Sequence, residues 1–130
     1  MRWQDITTIE LALQAKGLTM AQVEDMYSRH PEGERQDEIL TYCLTVAEDM
    51  INADAPIDWS NTDQKKWRLW FWIESKPDGS PGVALSLLDC PYDASRALVG
   101  ARRSFASKER AMHAWEYFKS QYEQEFSRKR

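Results

Sequence analysis

The chain has 130 residues, 42% of them apolar and 29% charged, with a net charge of −4. That length fits a single domain, residues 1–130, with a core of its own, and the ordinary composition without low-complexity tracts excludes global disorder. No apolar run approaches the roughly 20 residues a membrane helix needs, and MRWQDITTIELAL places acids inside its apolar run, so neither a membrane span nor a signal peptide is expected. Cys43 and Cys90 sit in unrelated contexts and read as reduced, free thiols, which points to the cytoplasm.

Charge is unevenly spread. Residues 1–64 hold 4 Lys/Arg against 13 Asp/Glu, a balance of −9, whereas residues 65–130 hold 13 against 8, a balance of +5. The asymmetry suits an acidic helical half docking on a basic half, and secondarily an anionic partner.

In chain order, Ile6, Ile9 and Leu13 set a helical spacing over residues 6–15, with Gly17 as its C-terminal cap. Thr19 stands three residues before Gln22 in a capping-box pattern, and Val23, Met26 and Tyr27 give a second helix an apolar stripe that ends near His30 and Pro31. Residues 35–52 carry Ile39, Leu40, Cys43, Val46, Ala47, Met50 and Ile51 at three-and-four spacing, a helix wide enough on its apolar side to be mostly buried. Residues 53–64, with Pro56, Asp58, Asn61 and Asp63, predict an irregular crossing anchored by Trp59.

Residues 65–74, KKWRLWFWIE, hold three of the six tryptophans and read as a central strand. The two-residue period puts Trp67, Leu69, Phe71 and Ile73 on a core face, and Lys66, Arg68, Trp70, Trp72 and Glu74 on the other. KPDGSPG at residues 76–82 turns the chain into a second strand over residues 83–88, and residues 97–105 predict a third. Ser107 caps a closing helix that runs to about residue 126, with Ala111, Trp115, Phe118, Tyr122 and Phe126 in one stripe. The expected fold is α+β: N-terminal helices over residues 1–53, then over residues 54–130 a three-stranded antiparallel meander and a long C-terminal helix packed on the sheet.

Chemistry is thinly represented. His30, His113, Cys43 and Cys90 are the soft-metal candidates, and no two of them share a metal-binding spacing, so no metal or other cofactor is expected. Cys90 with His113, oriented by Asp89 or Asp93, would be the nucleophile and base of an enzyme, but no catalytic-cysteine or Gly-x-Ser-x-Gly context surrounds them. Glu48 and Asp49 are adjacent and so do not share a helix face. The turn between Gly79 and Gly82 lacks the Lys-Ser/Thr ending and following helix of a phosphate loop. What remains is the second face of the tryptophan strand. Trp70 and Trp72 with Lys66 and Arg68, joined by one of Arg102 or Arg103 from the third strand, form a candidate binding surface. Aromatics interleaved with cations stack single-stranded bases and meet phosphates, and they equally cover a protein surface.

The order Asp58-Trp59, a polar gap, the aromatic strand at residues 70–74, a glycine-containing hairpin and then VGARRSFASKERAMHAWEYFKSQYEQEF resembles a group of small uncharacterised proteins from Bacteroidales genomes and their phages. There a VGSRLCFKS-ELAEYAG-QF--LY ending follows a W-PWFEV strand. Matching positions include Val99, Gly100, Arg102, Phe105, Ser107, Glu109, Ala111, Phe118 and Tyr122, while Arg103 stands where the group tends to be apolar and Trp115 where it tends to be small. The resemblance implies a phage or mobile-element setting and no particular activity. The expectation is a non-enzymatic binding module. A protein partner or another copy of the chain is favoured, and the alternative is a single-stranded nucleic-acid-binding accessory protein.

Overall fold

A computed structural model describes residues 2–58, 60, 61, 63, 64, 66–75, 77, 81–90 and 103–126; within the two strands it describes the side chains of Lys66, Trp67 and Leu69. Trp59 and residues 97–102, on which sequence expectations fell, lie outside the described residues.

The helical N-terminal part is punctuated by its caps. A short 3-10 turn at Trp3–Asp5 is closed by the Asp5 carboxylate, which accepts from the Arg2 backbone N–H at 2.9 Å. Helix α1 spans Ile9–Lys16, not residues 6–15. The shift has a local cause. Thr8 is extended (φ −138°, ψ 160°) and its Oγ1 accepts from the Leu11 N–H, so the helix starts after it and leaves Ile6 outside, though buried. At the far end Gly17 adopts φ +84°; the Leu18 N–H reaches Leu13 O at 2.8 Å and the Gly17 N–H reaches Gln14 O at 3.0 Å, the two bonds of a Schellman ending. Thr19 then caps α2, Met20–Met26, through the expected reciprocal pair with Gln22.

Helix α2 stops a turn before His30, and α3, Glu32–Ile51, starts a turn earlier than its apolar stripe suggests. Glu32 and Glu34 in its first turn favour the positive end of the helix dipole. Arg35 reaches back to the carbonyls of Ser28 and His30 and fixes the turn between the helices. The buried face of α3 contains Ile39, Cys43, Leu44, Val46, Ala47 and Ile51, and also Glu48.

Strands β1, Lys66–Ser75, and β2, Pro81–Cys90, pair antiparallel from Lys66 opposite Cys90 to Ser75 opposite Pro81. Trp67 and Leu69 are half-buried against the core, as the strand period requires. Helix α4, Lys108–Phe126, packs on α3 and on both strands, with Ala111, Ala114, Phe118 and Tyr122 buried and Trp115 only half-buried. It bends at Phe118 (φ −121°, ψ 17°). One apolar cluster runs from Ile6 through α1, α2 and α3 to Tyr122, and each fully buried member such as Leu13, Leu44 or Phe118 contributes about 1.5–3 kcal/mol.

The expected fold class is thereby corrected. The described residues are mostly helical, with four α-helices and a single two-stranded hairpin in place of a three-stranded meander. Of the described part of the expected third strand, only Phe105 pairs, in an isolated bridge to Trp67. The neighbouring backbone groups are used differently. Asn52, just past the end of α3, donates from its amide to Ser104 O at 2.8 Å and accepts from the Ala106 N–H at 3.0 Å. A side chain thus occupies the backbone groups on either side of Phe105. No described helix is long and apolar enough to cross a membrane.

Candidate functional site

The surface nominated by the tryptophan strand is divided by the structure. Lys66, expected on the outer face, is 2% exposed, and its Nζ donates to Asn61 O at 2.9 Å and Gln64 O at 3.1 Å. Arg103 points into the protein. Its guanidinium meets Glu48 as a fork, Nε to Oε1 at 2.8 Å and Nη2 to Oε2 at 3.0 Å, and its Nη1 meets Glu125 Oε1 at 2.7 Å. The side chains of Arg68, Trp70 and Trp72, and residue Arg102 as a whole, lie outside the described residues. Of the nominated cations that are described, both are engaged inside the fold.

The Arg103 contacts belong to a buried polar cluster at the junction of α3 and α4. The Tyr122 hydroxyl donates to Glu48 Oε2 at 2.7 Å, and Glu125 Oε2 is buried without a hydrogen-bond partner among the described residues. Burial pushes the Glu48 carboxyl above its ordinary range; Arg103 and Tyr122 pull the other way, and Glu125 adds to the rise. Burial works against the Arg103 charge, yet the two carboxylates hold the guanidinium firmly protonated. Burial and then Glu48 hold Tyr122 well above the usual phenol range. One cation, its side chain a quarter exposed, between two carboxylates that are almost wholly buried has the chemistry of an internal clamp.

Two titratable side chains singled out in the sequence also have structural partners. His113 Nε2 lies 2.7 Å from Ile6 O, a contact in which the ring nitrogen donates, and its ring packs on Trp3 and Tyr117. Cys43 is buried in α3, and burial, reinforced by Glu10, pushes its thiol up, away from the nucleophilic thiolate. His30 is exposed, and the Cys90 side chain lies outside the described residues. Among the described residues no group of three His, Cys, Asp or Glu side chains could hold a metal.

Among the described residues an open concavity lies elsewhere, where α1, the start of α2, the first half of α3 and the second half of α4 meet. It is a groove of about 460 Å³. Ile9, Met20, Ile39, Leu40 and Cys43 make an apolar floor. Its rim carries Glu10, Gln36, Asp37, Tyr117, Gln121 and Gln124. Tyr117 is 44% exposed, one of three large apolar side chains, with Met26 and Met112, left in solvent among the described residues. A smaller cleft of about 250 Å³ beside Glu48, Asn52 and Ser104 has its amide already committed to backbone. Comparisons with family models, with curated proteins and with solved structures find nothing that matches this chain.

The groove is not legible in the sequence because its members come from four separate helices, and Ile9, Ile39, Leu40 and Cys43 on its floor read as ordinary apolar-stripe residues. The clamp is hidden for a related reason. The sequence weighs Glu48 only against its neighbour Asp49, with which it shares no helix face, whereas its partners are 55 and 74 residues away. The available signal is a glutamate inside an apolar stripe, a carboxyl that burial forces either to hold its proton or to find a cation or hydrogen-bond donor.

Proposed function

We propose that this protein is a non-enzymatic interaction module that binds another protein through the groove between α1, α3 and α4. The observation that carries the reading is the exposed Tyr117 ring on the rim of an open groove with an apolar floor. Tyrosine anchors beside apolar depressions are where binding energy concentrates in protein interfaces. A protein partner is favoured over nucleic acid because Lys66 and Arg103, two of the cations a phosphate-binding face would use, are engaged within the fold. The proposed setting, a phage or mobile element acting in the cytoplasm, rests on the resemblance of the strand and helix ending and on the free-thiol reading of Cys43 and Cys90.

Site-specific photo-cross-linking in the native cell tests this. A photoreactive phenylalanine analogue at position 117 should give a covalent adduct of defined mass, and the same group at position 26, exposed but away from the groove lining, should not. Equal adducts at both positions, or none at 117, would remove the groove as the binding surface.

A further inference from the structure

The rim of the groove has a sign. Its charged members among the described residues are Glu10 and Asp37, with no lysine or arginine in the lining, and the half of the chain that supplies most of that lining carries a balance of −9. An occupant bearing phosphate, whether nucleic acid or an anionic membrane, is repelled by such a rim. The remaining polar groups on the rim, Gln36, Gln121 and Gln124, offer both donors and acceptors, which suits the backbone of a peptide better than a compact cation. Tyr117, 44% exposed although its ring also meets His113, adds aromatic surface at the rim, onto which a guanidinium stacks more readily than an ammonium does.

We propose that the groove takes an arginine-bearing peptide segment of a partner protein, seating an apolar side chain on Ile39, Leu40 and Met20 while its cations face Glu10 and Asp37. The inference rests on the reading that the groove is the interaction surface, and it specifies the partner's chemistry. Steering by the acidic rim makes the association salt-sensitive, because the charges on the rim are exposed to solvent or nearly so.

Selection from a random-peptide library against the full chain tests it, with individual peptides then titrated by fluorescence anisotropy. The expected peptides combine arginine with a large apolar residue. Their affinity should fall by about tenfold or more with Asp37→Lys or Glu10→Lys, and severalfold with Tyr117→Ala. Glu10 and Tyr117 are exposed and Asp37 is half-buried, and circular dichroism on each variant verifies the fold. Acidic or uncharged peptides, or arginine peptides that bind the charge-reversed variants as tightly as the parent, would overturn the proposal. So would sedimentation showing a dimer that Asp37→Lys dissociates, since the occupant would then be a second copy. A cross-link from position 117 with peptides of the wrong chemistry removes this inference alone. Absence of both cross-link and peptides removes the interaction reading with it.

Discussion

Glu48 shows how one residue can be stabilised and strained by the same surroundings. Its carboxylate receives a forked guanidinium and a phenol, yet burial still holds its pKa above the ordinary 4.5. The consequence for stability has a definite sign. A carboxyl whose folded pKa is raised binds its proton more tightly in the native state, so its contribution is complete below the ordinary value and is lost as pH rises through the folded one. Asp54 and Asp58 are held below their ordinary range, by the Arg110 and Ser60 hydrogen bonds respectively, and act in the opposite direction. They are common to parent and variant, so a comparison cancels them. Urea unfolding of the parent and of Glu48→Gln across the mildly acidic range should show the parent losing ground to the variant as pH rises; the reverse trend would mean that Arg103 overcomes burial. Arg103→Met should cost about 3–5 kcal/mol, because two buried carboxylates are left without their cation. Combining it with Glu48→Leu should cost less than the sum of the single changes, and strict additivity would count against a coupled cluster.

At the scale of the element, the caps explain why the N-terminal helices are short and sharply separated. Gly17 ends α1 at φ +84°, and a Cβ built there meets nothing within 4 Å, so the demand for glycine is purely conformational. Gly17→Ala should therefore destabilise the protein by about 1 kcal/mol, and Gly17→Asn by less, since asparagine tolerates the left-handed region. Equal costs for the two would point to a steric cause. The single-turn errors at the ends of α1, α2 and α3 have the same origin. Apolar periodicity marks which residues face the core, whereas Thr8, Pro31 and the acids of the first turn of α3 decide where hydrogen bonding starts. In α4 the stripe shifted toward Ala114 and away from Trp115, whose indole is half-buried with Lys119 Nζ 5.4 Å from its ring centre. A large aromatic beside two alanines is accommodated at the edge of the contact, and the alanines let α4 approach the core closely.

Across the whole molecule, the two ends of the charge distribution meet at α3 and α4. Arg103 pairs with Glu48, and Arg110 pairs with Asp54 at 2.6 Å while its guanidinium covers the Trp3 ring. Internal docking of an acidic half on a basic half, the first of the two readings of the charge asymmetry, has these pairs as its structural content. Phe105 joins the hairpin to the helices. Its side chain is fully buried in the helical core and its backbone bridges Trp67. Phe105→Ala should cost about 3–5 kcal/mol and should also speed exchange of the Trp67 amide, which donates to Phe105 O. Normal protection at Trp67 in a destabilised variant would show that the hairpin is held without help from this packing.

The sequence by itself determined the local devices and the facing of residues: the Thr19–Gln22 capping box, the Gly17 stop, the Ser107 cap whose Oγ accepts from the Arg110 N–H, and the buried side of α3. These depend on neighbours three or four positions apart, and such neighbours are present in any linear reading. Only the tertiary structure decided that the sheet has two described strands, that Lys66 and Arg103 turn inward, and that Tyr117 and Asp37 line one groove. Arg103 and the groove are set by partners many residues away, and Lys66 by a fold-back of the preceding loop that brings the Asn61 and Gln64 carbonyls onto its ammonium. Asn52 takes the backbone groups flanking Phe105, and Glu48 gives Arg103 a buried countercharge, so groups that read locally as strand and surface are committed to the interior.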